Sequence, residues 1–336
     1  MYTRCRLDSS APFFRWWGIV VITVWFWGCA HHQPLPAEPY QLAFRTHAAQ
    51  TSPREKWSPV FIVYGHSQVY NRIGRPSVAS EENGEQRVFI DTEDPVVYFL
   101  ERTFRTEKAT YTNFIYRVHF PGTPYSLIPF NLSAGKNVGI IVVVTVDADK
   151  RPVLVTTVHT CGCYKAIVPT QYLRREALPV NWKKAPLKVY GEKLPPELEF
   201  EGGPSPRILV HLRPGVHRVM DLEVRPEHYL SSERFREIPM KMESMSLLER
   251  LPFDGTTTSF FHQEGVLKGH VKGSVKPLET LFMSLISLDL FVGTDKAYSD
   301  TTETGNPFYT SLKPWRREDS NMWYFARFLR YWGWRL

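Results

Sequence analysis

The 336-residue sequence predicts an α+β protein, a mostly antiparallel β-sheet or sandwich over residues 59–230 followed by an α-rich part over 231–336 that can share one domain with it. Three observations carry this expectation. Seven short runs rich in β-branched and aromatic residues fall between residues 60 and 224. Turn chemistry separates them, as in Glu-Glu-Asn-Gly at 81–84, Asp-Ala-Asp-Lys at 147–150 and Gly-Gly-Pro-Ser-Pro at 202–206. After about residue 230 the apolar residues take up helical spacing.

In chain order the strand candidates are 60–64, 87–91, 112–120, 138–147, 153–160, 208–212 and 219–224. Residues 138–147 and 152–160, joined across Asp149-Lys150, read as a central antiparallel hairpin, and their near-continuous apolar character predicts burial on both faces. Residues 237–251 carry apolar side chains at loosely helical spacing. Pro277 then opens 278–292, ten of whose fifteen residues are apolar, which predicts a buried helix stopped by Gly293. Asp319 or Ser320 caps a last helix in which Met322, Phe325, Ala326 and Leu329 repeat at i, i+3, i+4 and i+7.

Composition removes several classes. Hydrophobic residues at 43% and charged residues at 22% fit a folded chain and exclude disordered, collagen-like and multi-spanning membrane proteins. The formal charge is +7, from 41 Lys and Arg against 34 Asp and Glu, yet no Lys/Arg run marks a nucleic-acid arm, so no nucleic-acid partner is expected.

Residues 1–15 carry Arg4, Arg6 and Arg15 against Asp8 and lead into an uncharged apolar run at 16–30. As a helix, fifteen residues reach roughly 22 Å, short of the roughly 30 Å hydrocarbon core, so the segment reads as a signal peptide over 1–28. Its end, Phe26-Trp27-Gly28-Cys29, resembles the lipobox of a bacterial lipoprotein leader. Gly28 and Cys29 match that pattern, while Trp27 stands where a small residue is usual and Phe26 where Leu is usual. The resemblance covers the leader alone. It implies that Cys29 becomes the lipid-bearing first mature residue, so that the protein is anchored to a membrane of the bacterial cell envelope, inner or outer, facing an extracytoplasmic space such as the periplasm. An uncleaved anchor, or cleavage beyond Cys29, places the body outside the cytoplasm as well. Residues 29–58, with Pro34, Pro36, Pro39 and Pro53, read as a linker, or as an ordered arm carrying Tyr40, Leu42 and Phe44.

The most informative local pattern is His159-Thr160-Cys161-Gly162-Cys163 at the end of a strand. If the strand runs on, His159, Cys161 and Cys163 face one side, and an imidazole with two thiols suits copper(I) or zinc. In an oxidising compartment the same cysteines can instead form a disulfide, which requires a turn at Gly162 because extended Cα atoms two residues apart lie about 6.7 Å from each other. A thiol redox pair is the third possibility.

Weaker patterns are Met240, Met242 and Met245, soft ligands for copper or core fillers. Gly65-His66-Ser67-Gln68-Val69 has the outline of a nucleophile elbow with Val69 in place of the final Gly, and reads better as a turn. Asp91, Glu93 and Asp94 form a small acidic cluster without EF-hand spacing. Lys268, His270, Lys272 and Lys276 would line one edge of an extended segment, protecting a sheet edge or meeting an anionic partner. The C-terminus interleaves Trp323, Tyr324, Phe325, Phe328, Tyr331, Trp332 and Trp334 with Arg327, Arg330 and Arg335, as a buried helix or a membrane-surface segment would. No P-loop, GxGxxG or HExxH spacing occurs. The functional expectation is therefore an envelope lipoprotein that binds a partner or ligand and carries a metal or structural centre at His159, Cys161 and Cys163. The alternatives are a redox enzyme at that centre and a purely structural envelope protein.

Overall fold

The computed structural model describes residues 34–46, 52–127, 130–200 and 205–336, so the leader and Cys29 lie outside the described residues. In chain order the first strands are β1 (Gln41–Thr46), β2 (Val60–Val63), β3 (Arg75–Ser80), β4 (Gln86–Asp91), β5 (Val96–Arg105), β6 (Thr110–Thr123), β7 (Gly135–Val146), β8 (Pro152–His159) and β9 (Ala166–Pro169). After them come β10 (Leu187–Val189), β11 (Glu192–Leu194), β12 (Pro206–Leu212), β13 (Val219–Pro226), β14 (Phe235–Ser244), β15 (Leu251–Phe253) and β16 (Thr256–Thr258). The α-helices are short: α1 (Pro53–Lys56), α2 (Pro277–Ser287), α3 (Thr301–Thr304) and α4 (Phe325–Tyr331).

Ten strands join one curled, mixed sheet in the order β13-β12-β2-β1-β14-β5-β6-β7-β8-β9. Six neighbouring pairs are antiparallel and three are parallel, β1 with β14, β2 with β12 and β5 with β14. The fold is β-dominant, with the helical portion small. The hairpin that the sequence marks is present as β7 and β8, but it lies next to the β9 edge of the sheet rather than at its centre, and it turns at Asp147, where Lys150 donates its N–H to the Asp147 carbonyl at 3.0 Å. Both faces are buried, as the apolar run requires. Phe114, Tyr116, Val142, Val144 and Val155 pack on one face with Phe44, Phe61 and Val210 from the far strands, which the curl brings round. Ile115, Ile141, Val143 and Val158 pack on the other face against Phe260, Phe308, Phe325 and Phe328 from the C-terminal part. Each such fully buried side chain contributes roughly 1.5–3 kcal/mol, so this double-sided core fixes the strand ends from which the site is built.

Several expectations change. Within 29–58, read as a linker or an ordered arm, Gln41–Thr46 is a strand held between β2 and β14. Residues 237–251 are not helical: β14 covers most of them, with its side chains alternating across a sheet flanked on both sides by parallel neighbours, and a 3-10 turn at Met245–Glu249 completes the segment. Because β14 lies between β1 and β5, the sheet takes strands from both sides of residue 230. The last helix begins at Phe325 rather than at a cap by Asp319 or Ser320, since Asp319 is engaged by Arg316 and Arg327. The buried helix expected over 278–292 is α2, which ends at Ser287 with Leu288 as its left-handed cap rather than at Gly293, and its Leu281 and Leu285 face outward.

Candidate functional site

β8 ends at His159 because the chain turns back on itself there. Gly162 N donates to the His159 carbonyl at 2.7 Å, and His159 N donates to the Cys163 carbonyl at 2.9 Å. The turn needs glycine twice over. Gly162 has a φ of +91°, and a Cβ at that position would lie 2.0 Å from the Tyr309 carbonyl oxygen. The extended arrangement of three side chains on one strand face therefore does not form. Instead the turn brings the Cα atoms of Cys161 and Cys163 to 5.6 Å, and the two sulfurs are joined as a disulfide. The ligand atoms of His159, Cys161 and Cys163 all lie within 4.8 Å of one another, the only such cluster of His, Cys, Asp and Glu among the described residues.

Around this turn the core is unusually polar. Thr160 N donates to Gly139 O and Lys296 N donates to Thr160 O, both at 2.9 Å, which ties segment 294–297 alongside the end of β8. The Thr160 hydroxyl donates to the Asp295 carboxylate, and the Lys276 ammonium stands 3.0 Å from the other carboxylate oxygen, an ion pair lying off the axis of a hydrogen bond. The Lys296 ammonium donates to the Cys161 carbonyl at 3.3 Å and lies over the Tyr309 ring, 4.3 Å from its centre. Lys276, Asp295 and Lys296 are all buried. Burial pulls the Lys296 ammonium down to about 8, an effect that Asp289 and Asp295 partly offset. Burial, and then the Lys276 charge, hold the His159 imidazole well below its usual value, so it is neutral at physiological pH. Its ring meets Tyr164 edge-on at 4.7 Å, and Tyr164 in turn lines a cleft of about 520 Å³ with Pro34, Ser67, Phe130 and Arg213. Cys161 is buried and Cys163 is half-buried, so Cys163 is the more accessible sulfur-bearing residue.

Of the residues the sequence marks, the turn brings together His159, Cys161 and Cys163. Lys276 joins them, although the sequence places it on an exposed edge with Lys268, His270 and Lys272. That edge does not exist: residues 268–276 form turns and isolated bridges, His270 is buried against Asn306, and Lys272 donates to Thr258 at 3.1 Å. Asp295, Lys296 and Glu279 have no local sequence signal, since Asp-Lys after a glycine ordinarily marks a solvated turn.

The remaining candidates resolve into structure. Met240 and Met242 pack in the core within the curl while Met245 packs in the other, so they do not converge. Ser67 is exposed on a turn, with its backbone N–H donated to Glu38, and forms no elbow. Asp94 pairs with Arg75 at 2.6 Å and Lys241 at 3.0 Å, and Asp91 caps the Glu93 N–H. The C-terminal aromatics are largely core: Phe325, Phe328 and Trp334 are buried, Trp334 packs on Trp182 at 5.2 Å, and Arg102 and Lys165 lie 3.4 and 3.5 Å over Trp323 and Trp332.

No family model, no curated protein and no solved structure matches this chain.

Proposed function

We propose that the protein is a lipoprotein of the bacterial cell envelope, held by acylated Cys29, whose body exchanges thiols and disulfides with an envelope partner through Cys161 and Cys163. The observation that carries this reading is the Cys161–Cys163 disulfide in a turn flanked by buried Lys276 and Lys296. As a staple the bond does little. It closes a three-residue loop, for which chain entropy gives only about 1.6 kcal/mol, and backbone hydrogen bonds already close that turn. As a redox pair it is well placed.

In the first step a partner thiolate attacks the Cys163 sulfur, a new S–S bond forms, and Cys161 leaves as a thiolate in the turn where the Lys296 ammonium donates to the Cys161 carbonyl. A second partner thiolate then attacks the partner's own sulfur in the mixed disulfide and releases Cys163. Two partner thiols are oxidised to a disulfide, Cys161 and Cys163 are reduced, and the two protons given up by the partner end on the new thiols.

The 4.8 Å clustering supports a second reading, in which the reduced pair and His159 provide two sulfurs and one nitrogen for copper(I) or zinc. One preparation separates the readings. The full lipidated chain, purified in detergent, is analysed for metal and free thiols and titrated with glutathione redox buffers beside a Cys161→Ser/Cys163→Ser variant. Exchange predicts no metal and two thiols appearing reversibly at a potential above about −230 mV, in the range of exchange-active couples. Stoichiometric copper or zinc lost in the variant would replace exchange with the metal reading. A disulfide that opens only on unfolding would leave a structural role.

A further inference from the structure

α2 is built inside out. An ordinary surface helix turns its apolar stripe to the core and its polar face to water. Here the polar residues point inward. Lys276 at the N-cap is buried against Asp295, Glu279 lies under Gly293, where a Cβ would come 2.4 Å from its carboxyl carbon, Thr280 donates to the Val292 carbonyl at 3.3 Å, and Ser287 is 0% exposed. The apolar residues point outward: Leu281, Leu285 and Leu288, at i, i+4 and i+7, are 67%, 83% and 71% exposed, and Ile286 and Leu290 flank them. Between Pro277 and Leu288 the only ionisable side chain is the inward-facing Glu279, so nothing charged interrupts the stripe.

The neighbourhood says what covers this face. Phe282 of α2 meets Phe130 edge-on at 6.2 Å, and Phe130 lines the same cleft as Pro34. Just before Phe130 in the chain, Tyr125 and Leu127 are exposed as well. Pro34 is five residues after Cys29, a span that reaches at most about 18 Å when fully extended. A lipid attached at Cys29 therefore enters the bilayer close to the cleft that α2 borders.

We infer that α2 is a membrane-docking helix that lies in the plane of the bilayer surface, with Leu281, Leu285 and Leu288 in the boundary between headgroups and acyl chains and Tyr125 and Leu127 beside them. The inference rests on the lipid anchor proposed above. One acyl-bearing tether fixes a protein to a membrane without fixing its orientation, and a second, apolar contact supplies the orientation. Docked in this way, the cleft lined by Tyr164, with His159 and the cysteine pair behind it, is held at the membrane-facing end.

The test places the photo-crosslinking amino acid p-benzoylphenylalanine at Leu285 of the full lipidated chain, reconstituted in phosphatidylethanolamine vesicles with a minority of phosphatidylglycerol. A control chain carries the same group at Asp149, in the β7–β8 turn at the far end of β8 from His159. Lipid adducts at 285 well above those at 149 are expected, and Leu281→Asp with Leu288→Asp should lower them at least about tenfold with the fold and thiol count unchanged. Adducts to a second copy or to another protein, or none above the control, would overturn the inference. The mass of the Cys29 peptide from the same sample keeps the two proposals apart. An acylated chain without lipid adducts refutes the docking helix alone, an unacylated chain with lipid adducts refutes the anchor alone, and an unacylated chain without adducts refutes both.

Discussion

Gly162 faces the carbonyl oxygen of Tyr309 so closely that a methyl group on it would lie 2.0 Å from that oxygen. The contact locks the cysteine turn onto the segment that carries Tyr309, and φ of +91° adds a backbone cost for any other residue. Gly162→Ala is expected to destabilise the protein by about 2–4 kcal/mol and to lower its melting temperature by several degrees in a circular-dichroism melt.

The Lys276–Asp295 pair is buried on both sides, so breaking it should cost far more than removing it. Lys276→Met or Asp295→Asn alone leaves an uncompensated charge in the core and is expected to cost about 3–5 kcal/mol in urea unfolding. The double variant should lose clearly less than the sum of the two singles. Strict additivity would mean that the pair does not interact.

Four buried histidines give the protein an acid sensitivity with a definite sign. Burial holds His119 and His159 well below the usual histidine value, His217 at about 3 and His270 at about 4, so all four stay neutral in the folded chain where the unfolded chain titrates near about 6.5. As pH falls below about 6.5, the unfolded state takes up protons that the folded state refuses, and stability is lost until pH reaches the folded values. Each histidine should cost about 1.4 kcal/mol by about pH 5.5, read as a falling urea midpoint between pH 7.5 and 5.5. A His217→Gln chain should show a shallower fall.

If the disulfide serves exchange, the fold should survive without it. Cys161→Ser/Cys163→Ser is expected to lose about 1.5 kcal/mol, near the entropy of a three-residue loop. A loss several times larger, measured by urea unfolding, would make the bond a staple.

Much of the sheet was legible because several of its strands carry their own signal. The Val-rich runs that became β7 and β8, and the Asp147 turn between them, are local features. β1 was obscured by the prolines before it and β14 by methionines at mixed spacing, and both are strands because parallel neighbours distant in sequence pair with them. α2 misleads for the opposite reason. Its composition is that of a core helix, and only the burial of Lys276 and Glu279 beneath it turns the leucines outward. His159, Cys161 and Cys163 stood out as a motif, whereas Asp295 and Lys296 reach them through tertiary folding from more than a hundred residues away.

The proposed chemistry is asymmetric, since Cys163 is the accessible partner and Cys161 the buried leaving group. The most direct test is therefore the mass of Cys161→Ser and Cys163→Ser chains isolated from envelopes after acid quenching, without reductant. Exchange requires the Cys161→Ser chain to carry a thiol-cleavable adduct of a partner on Cys163, and the Cys163→Ser chain to carry little or none. Unmodified thiols in both chains would contradict exchange at this centre.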